Sequence, residues 1–358
     1  MRLLRLIAAN QFMETILLLA HAETDGSLAQ SAREALHVAA TLHKSLTGSS
    51  LVIGLTGENV QAAADSIAGC PATKYFGVIG KDFSQSRYAT DAAAAEAICK
   101  ASIATFVVAP ATSRWNRVVA GVAQRLGGRA DMHVTGVSGN DGRIAVNRWY
   151  YRQRMEAVLS RKQRPWFILV DPGSQPARQC GSGTASVENV AVQISDDCRR
   201  TTVIGIRKPA ADAQTIRPDA HLLFVTGAGW TKKQADGQAH VPEAEQLIRS
   251  FLKLSRASLG SSKSLVDQSG EQQAVLSFLS HLNQVGQTGA TPRHPKGLST
   301  CCHGEEPHTV GWRFIAERRA INLDPNCGWA RGKADVLYVA DAFKVMTKVN
   351  DLLAAQSG

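Results

Sequence analysis

Ile16-Leu17-Leu18-Leu19-Ala20 is a run of five apolar residues between the polar flanks Glu14-Thr15 and His21. It is too short for a helix and apolar at every position, the pattern of a strand buried on both faces. Leu51-Val52-Ile53-Gly54-Leu55 repeats it, and so does Thr105-Phe106-Val107-Val108-Ala109, which Pro110 ends. Between these runs the periodicity changes. From Leu28 to Leu46 apolar residues recur at helical spacing, an Ala-rich helix is predicted from Val60 to Ile67, and another from about Trp115 to Leu126. Buried strands alternating with helices indicate a parallel sheet covered on both faces, the α/β class. Between Arg143 and Val170 the composition turns β-branched and aromatic, as in an added antiparallel pair.

A chain of 358 residues exceeds the usual size of one core, so two domains are expected. Residues 1–195 form the first, with 1–13 read as an extension. The stretch from Ser186 to Ala220 mixes Thr, Asp, Arg and Pro, punctuated by Pro209 and Pro218, and 196–219 is taken as the linker. Residues 220–358 then form a second doubly wound domain. It opens with Leu222-Leu223-Phe224-Val225-Thr226 and Gly227-Ala228-Gly229. Helices are predicted over Pro242–Leu254 and Gln272–Asn283, strands over Leu298–Cys302, Arg319–Asn322 and Val336–Ala340, and a closing helix over Asp341–Leu353.

The totals are ordinary for a soluble globular protein, 44% hydrophobic and 20% charged. No apolar run reaches the ~18 residues that span a bilayer. The stretch from Met1 to Phe12 is too short and interrupted for a secretory core, so we read it as an extension and not a targeting segment. Seven cysteines in no regular framework argue for reduced thiols and a cytoplasmic location. The charge of +10 is spread along the chain, which favours an acidic protein partner or simple solubility over nucleic acid. Arg148-Trp149-Tyr150-Tyr151-Arg152-Gln153-Arg154 interleaves aromatic and basic residues, and a half-buried sheet with a solvated basic face explains it without nucleic acid. His21, Asp25 and Ser27 have no spacing that supports nucleophilic catalysis. Cys301, Cys302, His303, His308 and Cys327 are a poor metal set: adjacent cysteines do not readily share one tetrahedral ion, and no C-x-x-C accompanies them.

Gln284-Val285-Gly286-Gln287-Thr288-Gly289 is a polar loop with two glycines, which let backbone N–H groups approach an anion, and with Gln287 and Thr288 able to donate or accept. Alone it equals an ordinary helix-to-strand loop. His308 stands twenty residues after Thr288, Gly304 four before His308, and Ala320-Ile321-Asn322-Leu323-Asp324-Pro325 follows. Together these resemble the alpha subunit of electron transfer flavoprotein. Val339-Ala340-Asp341, Ser262-Lys263 with Val266-Asp267, Val108-Ala109-Pro110-Ala111-Thr112 and, more weakly, Ile67-Ala68-Gly69 match further runs of that family.

The resemblance implies a C-terminal Rossmann-like domain of the DHS-like NAD/FAD-binding kind that holds FAD. Its site would comprise Lys263, Val285, Gly286, Gln287, Thr288, His303, Gly304, His308, Asn322 and Asp341. Gln287 and Thr288 would meet the isoalloxazine edge, with His308 near it, while Asn322 and Asp341 would position the adenosine half. It also implies an electron carrier without its own substrate turnover, with no catalytic or metal residues. The expected partners are a beta subunit (for which AMP is a candidate ligand), a primary dehydrogenase and a membrane quinone oxidoreductase. A flavin-free or nucleotide-binding structural subunit of such a heterodimer is the alternative. Three departures stand out. Gly227-Ala228-Gly229-Trp230 replaces a turn that carries an arginine, Lys263 replaces an arginine beside the ring, and Glu305-Glu306 add acid before His308. Lysine is a point charge and not a planar fork, and fewer fixed positive charges imply a flavin potential below that of typical members.

Overall fold

The computed structural model describes residues 13–140, 143–150, 155–205, 216–217, 219–267, 275–286, 291–301, 315–327 and 334–357. They form two compact units, which divide at about residue 206. Each unit is an α/β domain, the first with a nine-stranded sheet and the second with a five-stranded parallel sheet.

In the first unit β1 (Thr15–His21) is central. On one side lie β2 (Ser50–Gly57), β3 (Lys74–Ile79) and the short β9 (Val187–Asn189). On the other lie β4 (Phe106–Pro110), β8 (Trp166–Val170), β5 (Arg129–Asn140), β6 (Arg143–Tyr150) and β7 (Met155–Leu159). All ladders are parallel except β5–β6 and β6–β7, so the expected antiparallel addition is present at one edge. The alternation of β1 explains the two layers. Ile16, Leu18 and Ala20 pack with Leu36 and Ala39 of α1 (Gln30–Ser45) and with Ala63 and Ala64 of α2 (Gln61–Asp65). Leu17 and Leu19 face the opposite layer, where Ala95 and Ile98 of α3 (Tyr88–Ser102) meet Trp115, Val118 and Val122 of α4 (Ser113–Arg125). Each fully buried leucine or isoleucine contributes roughly 2 kcal/mol by leaving water. The Thr112 hydroxyl caps α4 by accepting from Trp115 N at 3.4 Å.

From Asp171 an extended strap crosses the α1 and α2 layer to reach β9. Gly173 N donates to Glu34 Oε2 at 2.7 Å, Arg178 N to Arg33 O at 3.1 Å and Gly183 N to Asp65 O at 3.0 Å. Burial pushes the Glu34 carboxyl up, against the bonds from Gly173 and Gln30. Farther on, Arg199 pairs with Asp82 at 2.9 Å, and Arg87 Nε donates to Thr201 O at 2.8 Å, which ties residues 199–201 to this unit.

The second unit contains β10 (Leu222–Thr226), β11 (Ser258–Ser261), β12 (His294–Thr300), β13 (Ile315–Asn322) and β14 (Val336–Val339), in the order β11-β10-β12-β13-β14. Ile248 and Phe251 of α5 (Val241–Ser255) pack on Phe224 and Leu259 of the sheet. The short α6 (Lys263–Asp267) follows β11, and Phe343 and Met346 of α7 (Ala342–Ser357) complete the cluster.

One predicted helix does not form in its described part. Within the expected Gln272–Asn283, residues 275–280 are irregular and only His281–Asn283 makes a 3₁₀ turn. Ser280 Oγ accepts from Leu282 N at 3.3 Å, and Asn283 Oδ1 accepts from Ser280 N at 3.1 Å. These side chains offer the backbone a cap that competes with continued helix. Among the described residues no helix is long and apolar enough to cross a membrane.

Candidate functional site

In a parallel sheet all strands end on the same side, so the loops after β10 to β14 share one rim. The reversal of strand order lies between β10 and β12, and in open parallel sheets ligands occupy the crevice outside the carboxyl ends at such a point. Gly227-Ala228-Gly229-Trp230 turns over this point. Gly227 N donates to Thr300 O at 2.9 Å and Gly229 N to Cys301 O at 2.8 Å. A Cβ on Gly229 would lie 2.6 Å from Cys301 O, so close approach requires glycine here. Trp230 points inward: it is fully buried, its Nε1 donates to Thr300 Oγ1 at 2.8 Å, and its ring lies 4.7 Å from Phe343. Lys232 and Lys233, just beyond, are exposed.

The described residues of the expected site gather on this rim. Lys263 opens α6 directly after β11, with its Nζ 3.7 Å from Asp267 Oδ2. Asp267 also faces His281 Nδ1 at 3.7 Å, so the lysine charge is partly offset by acid. Val285 N donates to Ser261 O at 3.1 Å, which fastens the start of the glycine loop to the end of β11. Gly286 has φ 83°, a left-handed backbone that favours glycine, and its N–H donates to Thr291 Oγ1 at 2.8 Å. Asn322 ends β13, is buried, and accepts from Asp324 N at 3.0 Å. Asp341 follows β14, and its Oδ1 accepts from Phe343 N at 2.9 Å as the cap of α7. Gln287, Thr288, His303, Gly304 and His308 lie outside the described residues.

Two further polar groups on this rim escaped the sequence reading as site residues. Gln284 is 4% exposed and Ser261 is fully buried, yet among the described residues neither the Gln284 amide nitrogen and oxygen nor the Ser261 hydroxyl has a hydrogen-bond partner. The two residues are paired by a parallel bridge. Burying such groups unsatisfied costs about 1–3 kcal/mol each, a cost that a ligand with complementary polar atoms would offset. No pattern in the sequence separates Gln284 from any other loop glutamine; its burial does. From the end of β11 to that of β14 the rim spans four strand spacings, about 19 Å. That span suits an elongated dinucleotide better than a small anion.

The first unit carries a cavity of about 360 Å³ lined by Thr73, Lys74, Thr184, Ser186 and Glu188, and a second beside the turn after β1. After β1 the chain folds into a tight turn, in which Asp25 Oδ1 accepts from Ser27 N at 2.9 Å. The adjoining cavity of about 430 Å³ has Glu23 and Glu58 on its wall, which repel phosphate. His21 has its pKa lowered to about 4 by burial, with Arg114 adding to the effect. Of the arginines in the basic stretch only Arg148 is described, and it is paired, as are the basic residues Arg161 and Arg164 that follow it. Arg148 and Arg161 both bind the buried Asp131, and Arg164 binds Glu14 at 2.9 Å. Among the described residues no group of three or more His, Cys, Asp or Glu could hold a metal ion.

The fold defines a two-unit α/β protein whose second unit is an open parallel sheet with polar groups at the carboxyl ends of its strands. Residues 16–195 match the family model of the electron transfer flavoprotein domain, and the chain belongs to that family. Its members are electron carriers rather than enzymes, typically bind flavin, and work with partner subunits and dehydrogenases. No curated protein matches the chain.

Proposed function

We propose that this chain is the FAD-binding alpha subunit of a heterodimeric electron transfer flavoprotein, carrying electrons from a primary flavin dehydrogenase to a membrane quinone oxidoreductase. The observation that carries this reading is the unsatisfied pair Ser261 and Gln284, buried at the foot of the glycine loop. FAD bound along the rim would place its isoalloxazine near β11, beside Gln287 and Thr288, and its adenosine half near Asn322 and Asp341. Val285 and Gly286 would form the backbone wall, while His303, Gly304 and His308 would close the polar edge. FAD supplies the redox chemistry when bound; the chain orients it and sets the potential around it.

Lys263 would be the cation beside that ring, and its contact with Asp267 at 3.7 Å weakens the field it exerts. This adds to the expectation of a low flavin potential. Co-expression with a beta-type subunit tests the reading. A yellow heterodimer whose FAD bands are bleached by a dehydrogenase and its substrate is expected; a stable, colourless heterodimer would overturn it.

A further inference from the structure

The strap and the chain after α2 run antiparallel along their contact. Gly69 N donates to Gly181 O at 2.8 Å, Gly183 N to Asp65 O at 3.0 Å, and Ala185 N to Asp65 Oδ1 at 2.8 Å. The backbones touch at the first of these points, where a Cβ on Gly69 would lie 2.8 Å from Gly181 O and 3.0 Å from its Cα. This contact brings Cys70, which follows Gly69, near Cys180, which precedes Gly181.

Both side chains enter the same apolar cluster, where Cys70 Sγ lies 3.3 Å from Tyr75 Oη. Cys180 is the partly exposed member of the pair. Burial and the neighbouring Cys70 push its thiol up, while the guanidiniums of Arg178 and Arg33 pull against them. The other described cysteines are dispersed. Cys99 packs on the opposite face of the sheet, Cys198 sits in the 3₁₀ turn Asp196–Arg199, and Cys301 and Cys327 belong to separate clusters of the second unit.

We propose that Cys70 and Cys180 form a reversible dithiol–disulfide site that fastens the strap to the turn after α2. The oxidant is a low-molecular-weight disulfide such as oxidised glutathione. The Cys180 thiolate, its proton released to solvent, attacks one sulfur of that disulfide, whose S–S bond breaks to release one small thiol. The Cys70 thiolate then displaces the second small thiol and forms the Cys70–Cys180 bond. Two protein thiols lose two electrons, and the small disulfide gains them and two protons. The closed loop is long, and long loops give the larger constraint on the unfolded chain.

The test equilibrates the full-length chain with oxidised and reduced glutathione at pH 8, traps free thiols by alkylation and maps the non-reduced digest by mass spectrometry. The expected product is a dominant Cys70–Cys180 cross-linked peptide, reversed by dithiothreitol, with Tm several degrees above that of the reduced chain. Cys180→Ser should lose both the cross-link and the Tm shift, and Cys99→Ser should keep both. Glutathione retained on Cys180 without transfer to Cys70 would overturn the proposal. So would full alkylation of Cys70 under oxidising conditions, or a dominant cross-link between other cysteines.

Discussion

Asp131 is fully buried, and its carboxylate is bound by Arg148 at 2.9 Å, by Arg161 and by Trp166 Nε1 at 2.9 Å. Burial alone would raise this carboxyl; the bonds from Arg161, Trp166 and Arg148 outweigh it and hold the group below its usual range. Asp131→Ala would strand two guanidiniums beside the sheet and should cost about 3 kcal/mol, read as a lower urea midpoint; an unchanged midpoint would contradict this role. His21 gives a pH test with a definite sign. Its folded pKa of about 4 lies below the ordinary histidine value of 6.5, so the ring is neutral in the native state near pH 7. Its contribution is full above pH 6.5 and is lost as pH falls toward 4, because the unfolded chain takes up the proton first. Urea midpoints at pH 7.5 and 5.0 should therefore differ less in His21→Gln than in the unchanged chain, by about 2 kcal/mol. Equal pH slopes would count against it. At this scale the sequence is a poor guide. Basic residues that read as a solvated face are held by Asp131 and Glu14, and Gln284 acquires meaning only from its burial without a partner.

Among the elements, unbroken apolar runs were legible, and elements mixed with charged, small or polar residues were not. β1, β2 and β4 announce themselves as unbroken apolar runs because helices cover both sides of the sheet. β3 and α3 were not predicted: Lys74-Tyr75-Phe76-Gly77-Val78-Ile79 begins on a charge, and α3 buries a face of small and polar residues, Ile98 apart. β11 is Ser258-Leu259-Gly260-Ser261, with no apolar run to read. It is buried because the glycine loop lies on it, Val285 Cγ2 being 2.6 Å from where a Gly260 Cβ would stand. The missing helix over 275–283 had apolar residues at helical spacing, but its Ser280 and Asn283 side chains close a cap instead. At the switch point the turn after β10 makes a testable claim. Gly229→Ala would press a methyl group on the Cys301 backbone and should destabilise the second unit by about 1–3 kcal/mol, since the atom it would meet is main chain and cannot swing aside as a side chain could. Denaturant unfolding with tryptophan fluorescence would show it, and a midpoint equal to that of the unchanged chain would contradict the tight packing assigned here.

For the whole molecule, the family match and the candidate site fall on different units. Residues 16–195 carry the match, and the rim of the second sheet carries the groups that suit a flavin. Its strand order was not legible in the sequence, because order depends on which connections cross over and not on the strands themselves. The positions of its strand ends were more legible: Lys263 and Asp341, named by the resemblance, open or cap the helices after β11 and β14, and Asn322 ends β13. The central claim is that FAD lies on that rim, over Ser261 and Gln284. Gln284→Leu separates binding from folding, because removing an unsatisfied buried amide should leave the free chain as stable or more so. The decisive measurement is flavin content per heterodimer after co-purification with a beta-type subunit. We predict stoichiometric FAD in the unchanged complex and marked loss in Gln284→Leu with the heterodimer intact; no flavin in the first, or full flavin in the second, would contradict the account.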